Sequence, residues 1–133
     1  MFPVSPRDRR LPPKSYVFAI QLKGQPKAYP LDILDEKKVV NDTVAGVNLI
    51  ILADAATRTA RAYERHEYTF ASGDSPVSVV EQTSGDVWHV QEEHLTNPRT
   101  HERLPRLGGH ISYWFGWYAF YPSTAVYTPS DDS

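Results

Sequence analysis

The sequence predicts a mainly β protein: a β-rich α+β fold, one compact domain of about eight short strands with one or two short helices. Three observations carry this. The 133 residues match the size of one domain, and 41% are hydrophobic, enough for a core. Short segments rich in Tyr, Val, Phe and Ile recur along the chain. Gly, Pro, Asn, Asp and Ser clusters separate them, and no repeat or low-complexity block interrupts the pattern.

The elements follow in order. Residues 1–14 hold four of the eleven prolines and four basic residues, an extended Pro-rich arm, because proline fixes φ and removes a donor. Ser15–Leu22 reads as a strand ended by Lys23-Gly24-Gln25-Pro26, and Lys27–Tyr29 as its hairpin partner. Pro30 opens a one-turn helix, Leu31–Leu34. Asn41-Asp42 before Thr43 predicts a turn, since short polar side chains bond nearby amides. Leu49–Leu52 is a continuous apolar run, the signature of a buried central strand. Thr59–His66 alternates as a half-exposed strand does, with a short helix over Ala55–Ala62 as the alternative. Ser72–Pro76 is a turn, and Val77–Glu81 and Val87–Val90 are strands around Thr83–Asp86. Residues 91–110, polar and closed by Gly108-Gly109, predict a long loop of the kind that carries function. Tyr113–Tyr121 is the densest aromatic segment, Thr124–Thr128 a last strand, and 129–133 a frayed tail. The domain proper is therefore 15–128.

Composition excludes several chemistries. There is no cysteine, hence no disulfide, thiol nucleophile, zinc–thiolate site, iron–sulfur cluster or covalent c-type haem. The net charge of −2 argues against a nucleic-acid partner held by bulk charge. The charge is uneven, +4 over residues 1–66 and −6 over 67–133, which suits a dipolar surface or an oriented partner face. The longest apolar runs, Val47–Ala53 and Tyr113–Tyr121, fall far below the ~20 residues of a membrane span. The first ten residues lack the apolar stretch of a secretory signal, so the protein is cytosolic or a leader was removed.

Four segments together resemble a bacterial family, domain of unknown function 3179. Lys27–Leu34 is similar to its AYPL-x-x-L stretch, Val39–Gly46 to its VND-x-x-GG turn and Thr83–Trp88 to its TGS-x-W segment. Trp117 with Tyr121–Thr124 is similar to its C-terminal ending. They occur in the family's order and cover nearly the whole chain. After the second motif the family has a strand ending in Y-C-P-x-C-G. Aligned without gaps, Leu49–Ala53 occupies that strand. The two cysteine positions then fall on Asp54 and Thr57, the glycine on Arg58, and Tyr63 replaces a later Phe. The family's stretch between this motif and TGS-x-W is shortened here. If the family uses that thiol pair for redox or metal chemistry, this chain looks like a version without it. The resemblance implies a fold and no catalytic assignment. Family members are often exported, which implies an extracytoplasmic location.

Several constellations remain. Of the histidines His66, His89, His94, His101 and His110, four lie within 89–110. With Glu92 or Glu93, His89, His94, His101 and His110 are the candidate ligands of a divalent metal such as zinc or copper, although no H-x-x-x-H spacing occurs. Scattered surface histidines are the competing reading. The aromatic run is either a core plug, each ring burying ~150–250 Å², or a platform with at least one exposed Trp. Asp54 either caps the turn after its strand through backbone amides or, with Thr57 and Arg58, is what remains of a site. No G-x-S-x-G or phosphate-loop pattern occurs.

Three functions follow. The first is a small non-catalytic binding domain, without an organic cofactor, whose 91–110 loop and N-terminal arm engage a protein partner or larger assembly. The second is a His-based metal-binding domain. The third is a hydrolase-like enzyme using Asp54 and a histidine as acid and base.

Overall fold

Hairpin chemistry sets the first element. In the computed structural model, which describes residues 10–129, Lys23 and Gly24 both adopt positive φ (50° and 78°). That turn geometry matches strand twist, and it joins β1 (Tyr16–Leu22) to β2 (Gln25–Pro30). Pro30 leads straight into α1 (Leu31–Lys37), which buries Leu31 and Leu34, three residues apart on one face. The helix stops at Lys38, whose φ of 69° turns the chain while its N–H donates to Leu34 O.

Next comes β3 (Val39–Val44) against β4 (Val47–Asp54). The turn expected at Asn41-Asp42 lies instead at Ala45-Gly46, with φ of 54° and 79°. A two-residue hairpin of this type I′ kind needs positive φ at both central residues, and only Gly46 supplies it without strain. Asn41 and Asp42 stay extended inside the strand, paired with Ile50 and Leu49, and their side chains make tertiary links. In β4, Leu49 and Ile51 face one core and Ile50 another, so both faces are covered. That is why the run reads as uninterrupted apolar sequence.

Thr59–Glu64 is β5, so the helix alternative over 55–62 is wrong: 55–58 is a tight turn. Then follow β6 (Phe70–Ser72), β7 (Ser78–Glu81) and β8 (Val87–Val90). The long loop expected over 91–110 is also corrected: it contains β9 (His94–Thr96) and β10 (Arg103–Leu107). These polar strands bury Leu95 and Leu104, and their turn is held by Asn97, whose carboxamide oxygen accepts from Arg99 N. β11 (His110–Tyr113), α2 (Trp114–Phe120) and β12 (Ala125–Val126) complete the chain, the last shorter than the 124–128 strand expected.

The strands form two sheets. One has the order β11-β1-β2-β12, the other β3-β4-β5-β10-β9-β8-β7-β6. The larger curls until its outer strands meet, and there the Asn41 side chain substitutes for a ladder. Its Nδ2 donates to Phe70 O at 2.9 Å, and Phe70 N–H donates to its Oδ1 at 3.0 Å. Inside this near-barrel sit Ile50, Tyr63, Phe70, Val79, Trp88, Leu95 and Leu104. Phe18, Ile20, Tyr29, Leu34, Leu49 and Ile51 pack between the two sheets and α1. Trp114 and Trp117 cover Val17, Ala19 and Ala28 on the far face of the smaller sheet. The β-rich single-domain expectation holds, with twelve strands among the described residues. Most of the expected 1–14 arm and 129–133 tail lies outside the described residues; Arg10, within them, packs over Trp114 and donates to Thr124 O.

Closure through one side chain gives a direct test. Asn41→Ala strands a backbone donor and acceptor at Phe70, and is expected to cost about 1–3 kcal/mol. A lower urea midpoint at unchanged slope checks it; an unmoved midpoint refutes the clasp.

Candidate functional site

The residues of the quoted motifs are mostly structural. Asp42 accepts from Lys27 Nζ at 2.7 Å and from Tyr29 OH at 2.6 Å on the same oxygen. Both Lys27 and Asp42 are nearly buried, and the ammonium lies over the Tyr29 and Tyr127 rings. This cluster fastens the small sheet to the large one. Trp88 fills the near-barrel, and Trp117 Nε1 donates to Thr124 Oγ1 at 2.8 Å beneath α2.

The β7–β8 turn is built around Glu81, a buried carboxylate. Burial by itself would push its carboxyl up. Backbone N–H groups of Thr83 (3.0 Å) and Ser84 (2.9 Å) donate to its two oxygens and bring it below the ordinary carboxylate value. Beside it, hydrogen bonds from Arg99 and then Asn97 hold the Asp86 carboxyl low. Across the turns, Tyr68 donates to Glu102 at 2.6 Å, which with burial pushes its hydroxyl up to about 12. His66, exposed, sits 3.7 Å from Glu64 and 3.9 Å from Glu102.

The other histidines do not converge. His89 is exposed on β8 opposite Thr96, and His94 lies on β9 opposite Pro105. His101 occupies a turn at φ 66°, and His110 sits in the other sheet, edge-on to Trp117 at 5.7 Å. Among the described residues no three His, Asp or Glu side chains gather as a metal-holding group. The zinc or copper site on His89, His94, His101 and His110, with Glu92 or Glu93, is therefore not formed. Strand pleat and the separation of the two sheets keep the rings apart.

The aromatic run divides. Trp114 and Trp117 are buried, as is Trp88, so the platform with an exposed Trp is corrected to core. Exposed instead are Phe115, Phe120 and Tyr113, with Tyr113 stacked on Tyr16 at 4.8 Å. The i, i+3 spacing of the two tryptophans sets the inward face of α2 and leaves Phe115 outside, while Phe120 is exposed at the last residue of the helix.

At the β4–β5 turn, Asp54 Oδ1 accepts from Ala56 N at 3.0 Å, the local cap expected of it. Thr57 Oγ1 donates to Asp54 O at 3.5 Å and shares a 2.7 Å contact with Thr59 Oγ1. Arg58 has φ 54°, a left-handed conformation, and its guanidinium lies 3.7 Å from Asp35. Arg58 thus holds a glycine-like conformation at the position that the resemblance aligns with a glycine.

This turn borders a cleft of about 420 Å³. One wall is the α1–β3 junction, Lys38 and Val39. A second is the end of β4 and its turn, from Leu52 to Ala56. The third is the β6–β7 connection, Ser72 to Pro76 with Ser78 and Val79. Hydroxyls of Ser72, Ser75 and Ser78, the carboxylates of Asp54 and Asp74 and the Lys38 ammonium supply polarity over an apolar floor. The volume lies within the range of small-ligand sites. No histidine is among its lining residues, so the cleft gives Asp54 no imidazole partner; Thr57 and Arg58 lie outside its lining. Residue identity pointed to Asp54. Nothing local marked Lys38, Val39 or Ser72, which meet only through the curl of the sheet.

Among the described residues no helix is long and apolar enough to cross a membrane. A family model described as a protein of unknown function (DUF3179) matches residues 1–124. No curated protein and no solved structure matches the chain.

The Glu81 turn generates a pH prediction. Its folded carboxyl value is depressed, so its stabilisation is present above the unfolded value, ~4.3, and is lost as pH falls through the folded value. Glu81→Gln is therefore expected to lie well below the parent in stability at pH 7 and to approach it at pH 3. Denaturant melts at both values check this; a gap independent of pH contradicts it.

Proposed function

The chain belongs to the DUF3179 family of proteins of unknown function, and from that premise we propose that it is a non-catalytic binding domain whose ligand enters the cleft beside the β4–β5 turn. One observation carries the reading: the turn that matches the family's cysteine pair forms a wall of a ligand-sized cleft. The positions that would hold thiols carry Asp54 and Thr57, neither of which is a thiolate nucleophile. Asp54 is engaged with its own turn through Ala56 N. What the cleft offers is hydroxyl groups, charges of both signs and an apolar floor, the ingredients of recognition.

The alternative partner surface assigned to residues 91–110 loses its motive, because those residues form two paired strands. Their turn is already held by the Asp86–Arg99 ion pair at 2.6 Å. The cleft is therefore the better site.

The test is amide chemical-shift mapping of the ¹⁵N-labelled chain against a fragment set of amines, amino-acid amides and small carboxylic acids. Saturable shifts are expected at residues 38–39, 52–56 and 72–79. Shifts confined to the Tyr16–Tyr113 face, or none from any fragment, overturn the reading.

A further inference from the structure

The larger sheet is closed by a side chain and not by a backbone ladder, and this leaves the cleft with unusual walls. All seven pairings in that sheet are antiparallel, so its outer strands, β3 and β6, run antiparallel to each other where they meet. The Asn41 carboxamide spans them at Phe70. In an antiparallel strand the N–H and C=O of one residue face one neighbour, and those of the next residue face the other. Lys38 O accepts from Ala53 N of β4 at 2.9 Å, so Val39 turns its main-chain groups the other way, toward β6. On β6, Phe70 addresses Asn41, and Ser72, two residues on, faces the same side. Val39 and Ser72 both line the cleft. They direct main-chain donors and acceptors into it from opposite walls, next to the clasp.

A slot between two strand edges fits an extended main chain, which can hydrogen-bond to both sides at once. Its length is limited. The clasp closes one end, and about 420 Å³ lies at the lower end of the range for ligand sites. Its charge is also defined: Asp54 and Asp74 against Lys38, a net negative lining. The floor of Val39, Leu52 and Val79 takes an apolar side chain.

We infer that the open end of this seam binds a short extended peptide as an added strand between β3 and β6. A basic side chain of the peptide lies toward Asp54 and Asp74, and an apolar one on the floor. This rests on the cleft being a binding site and names what it binds.

The test uses the full ¹⁵N-labelled chain and four probes: acetyl-Val-Arg-Val-amide, the same peptide with Glu for Arg, the Arg peptide N-methylated at its central amide, and agmatine, a guanidinium without a peptide backbone. The Arg peptide is expected to give saturable amide shifts at Val39, Ser72 and Gly73 at ~1 mM. The Glu peptide should bind about fivefold more weakly, and the N-methylated peptide should lose the Val39 and Ser72 shifts. Equal binding of the N-methylated peptide or of agmatine overturns strand addition, yet leaves the cleft a binding site. Absence of shifts with all four, while the fragment set still binds, does the same. Asp54→Asn with Asp74→Asn, which keeps an oxygen for the Ala56 amide, should abolish the preference for Arg over Glu. A preference that survives in the folded double variant overturns the charge assignment.

Discussion

Two neighbouring side chains on β3 hold the architecture together. Successive residues of a strand face opposite sides, so Asn41 and Asp42 act in opposite directions from one short segment. Asn41 reaches across the seam to both main-chain groups of Phe70 and completes the larger sheet. Asp42 reaches the other way, to Lys27 and Tyr29, and anchors the smaller sheet. Its carbonyl also accepts from Arg65, whose guanidinium bonds Leu49 O and Tyr68 O as well. The two contacts flank the cores on either side of β4. The Lys27–Asp42 pair is largely shielded from water, where removal of one partner costs up to about 3–5 kcal/mol.

Much of this fold was legible in the sequence, and the failures have physical causes. Val87–Val90 is a strand with the expected boundaries, because β-branched residues flank a large aromatic between turn signals. The Leu49–Leu52 run announced a strand buried on both faces. At Asn41-Asp42 local propensity pointed to a turn, but those side chains are used across the molecule instead of on their own backbone. Strands β9 and β10 were hidden because each fully buries only one leucine among half-buried or exposed neighbours. The candidate site was legible at one residue, Asp54. Its other walls come from sequence some fifteen to twenty-five positions away, and main-chain groups at strand edges leave no signature in residue identity.

The recurring segments of the family resemblance take on a different meaning in three dimensions. Asn41, Asp42, Tyr29, Trp88 and Trp117 are fasteners and core, and none lines the cleft. Val39 and the turn that begins at Asp54 are the exceptions. At that turn Arg58 is left-handed where the resemblance aligns a glycine, and Asp54 and Thr57 stand where it aligns cysteines. A scaffold that holds this turn in place retains its cleft whatever chemistry the turn carries.

Closure by a carboxamide has one more consequence, for solubility. A complete ladder would tie β3 to β6 at several rungs, whereas here two hydrogen bonds do so. Opening at this seam requires none of the seven strand pairings to break. Each opening bares two strand edges to neighbouring molecules, and such edges seed intermolecular β-sheets. Asn41 therefore stands where the sheet's two outer edges would otherwise lie apart, the kind of edge that β-proteins keep covered.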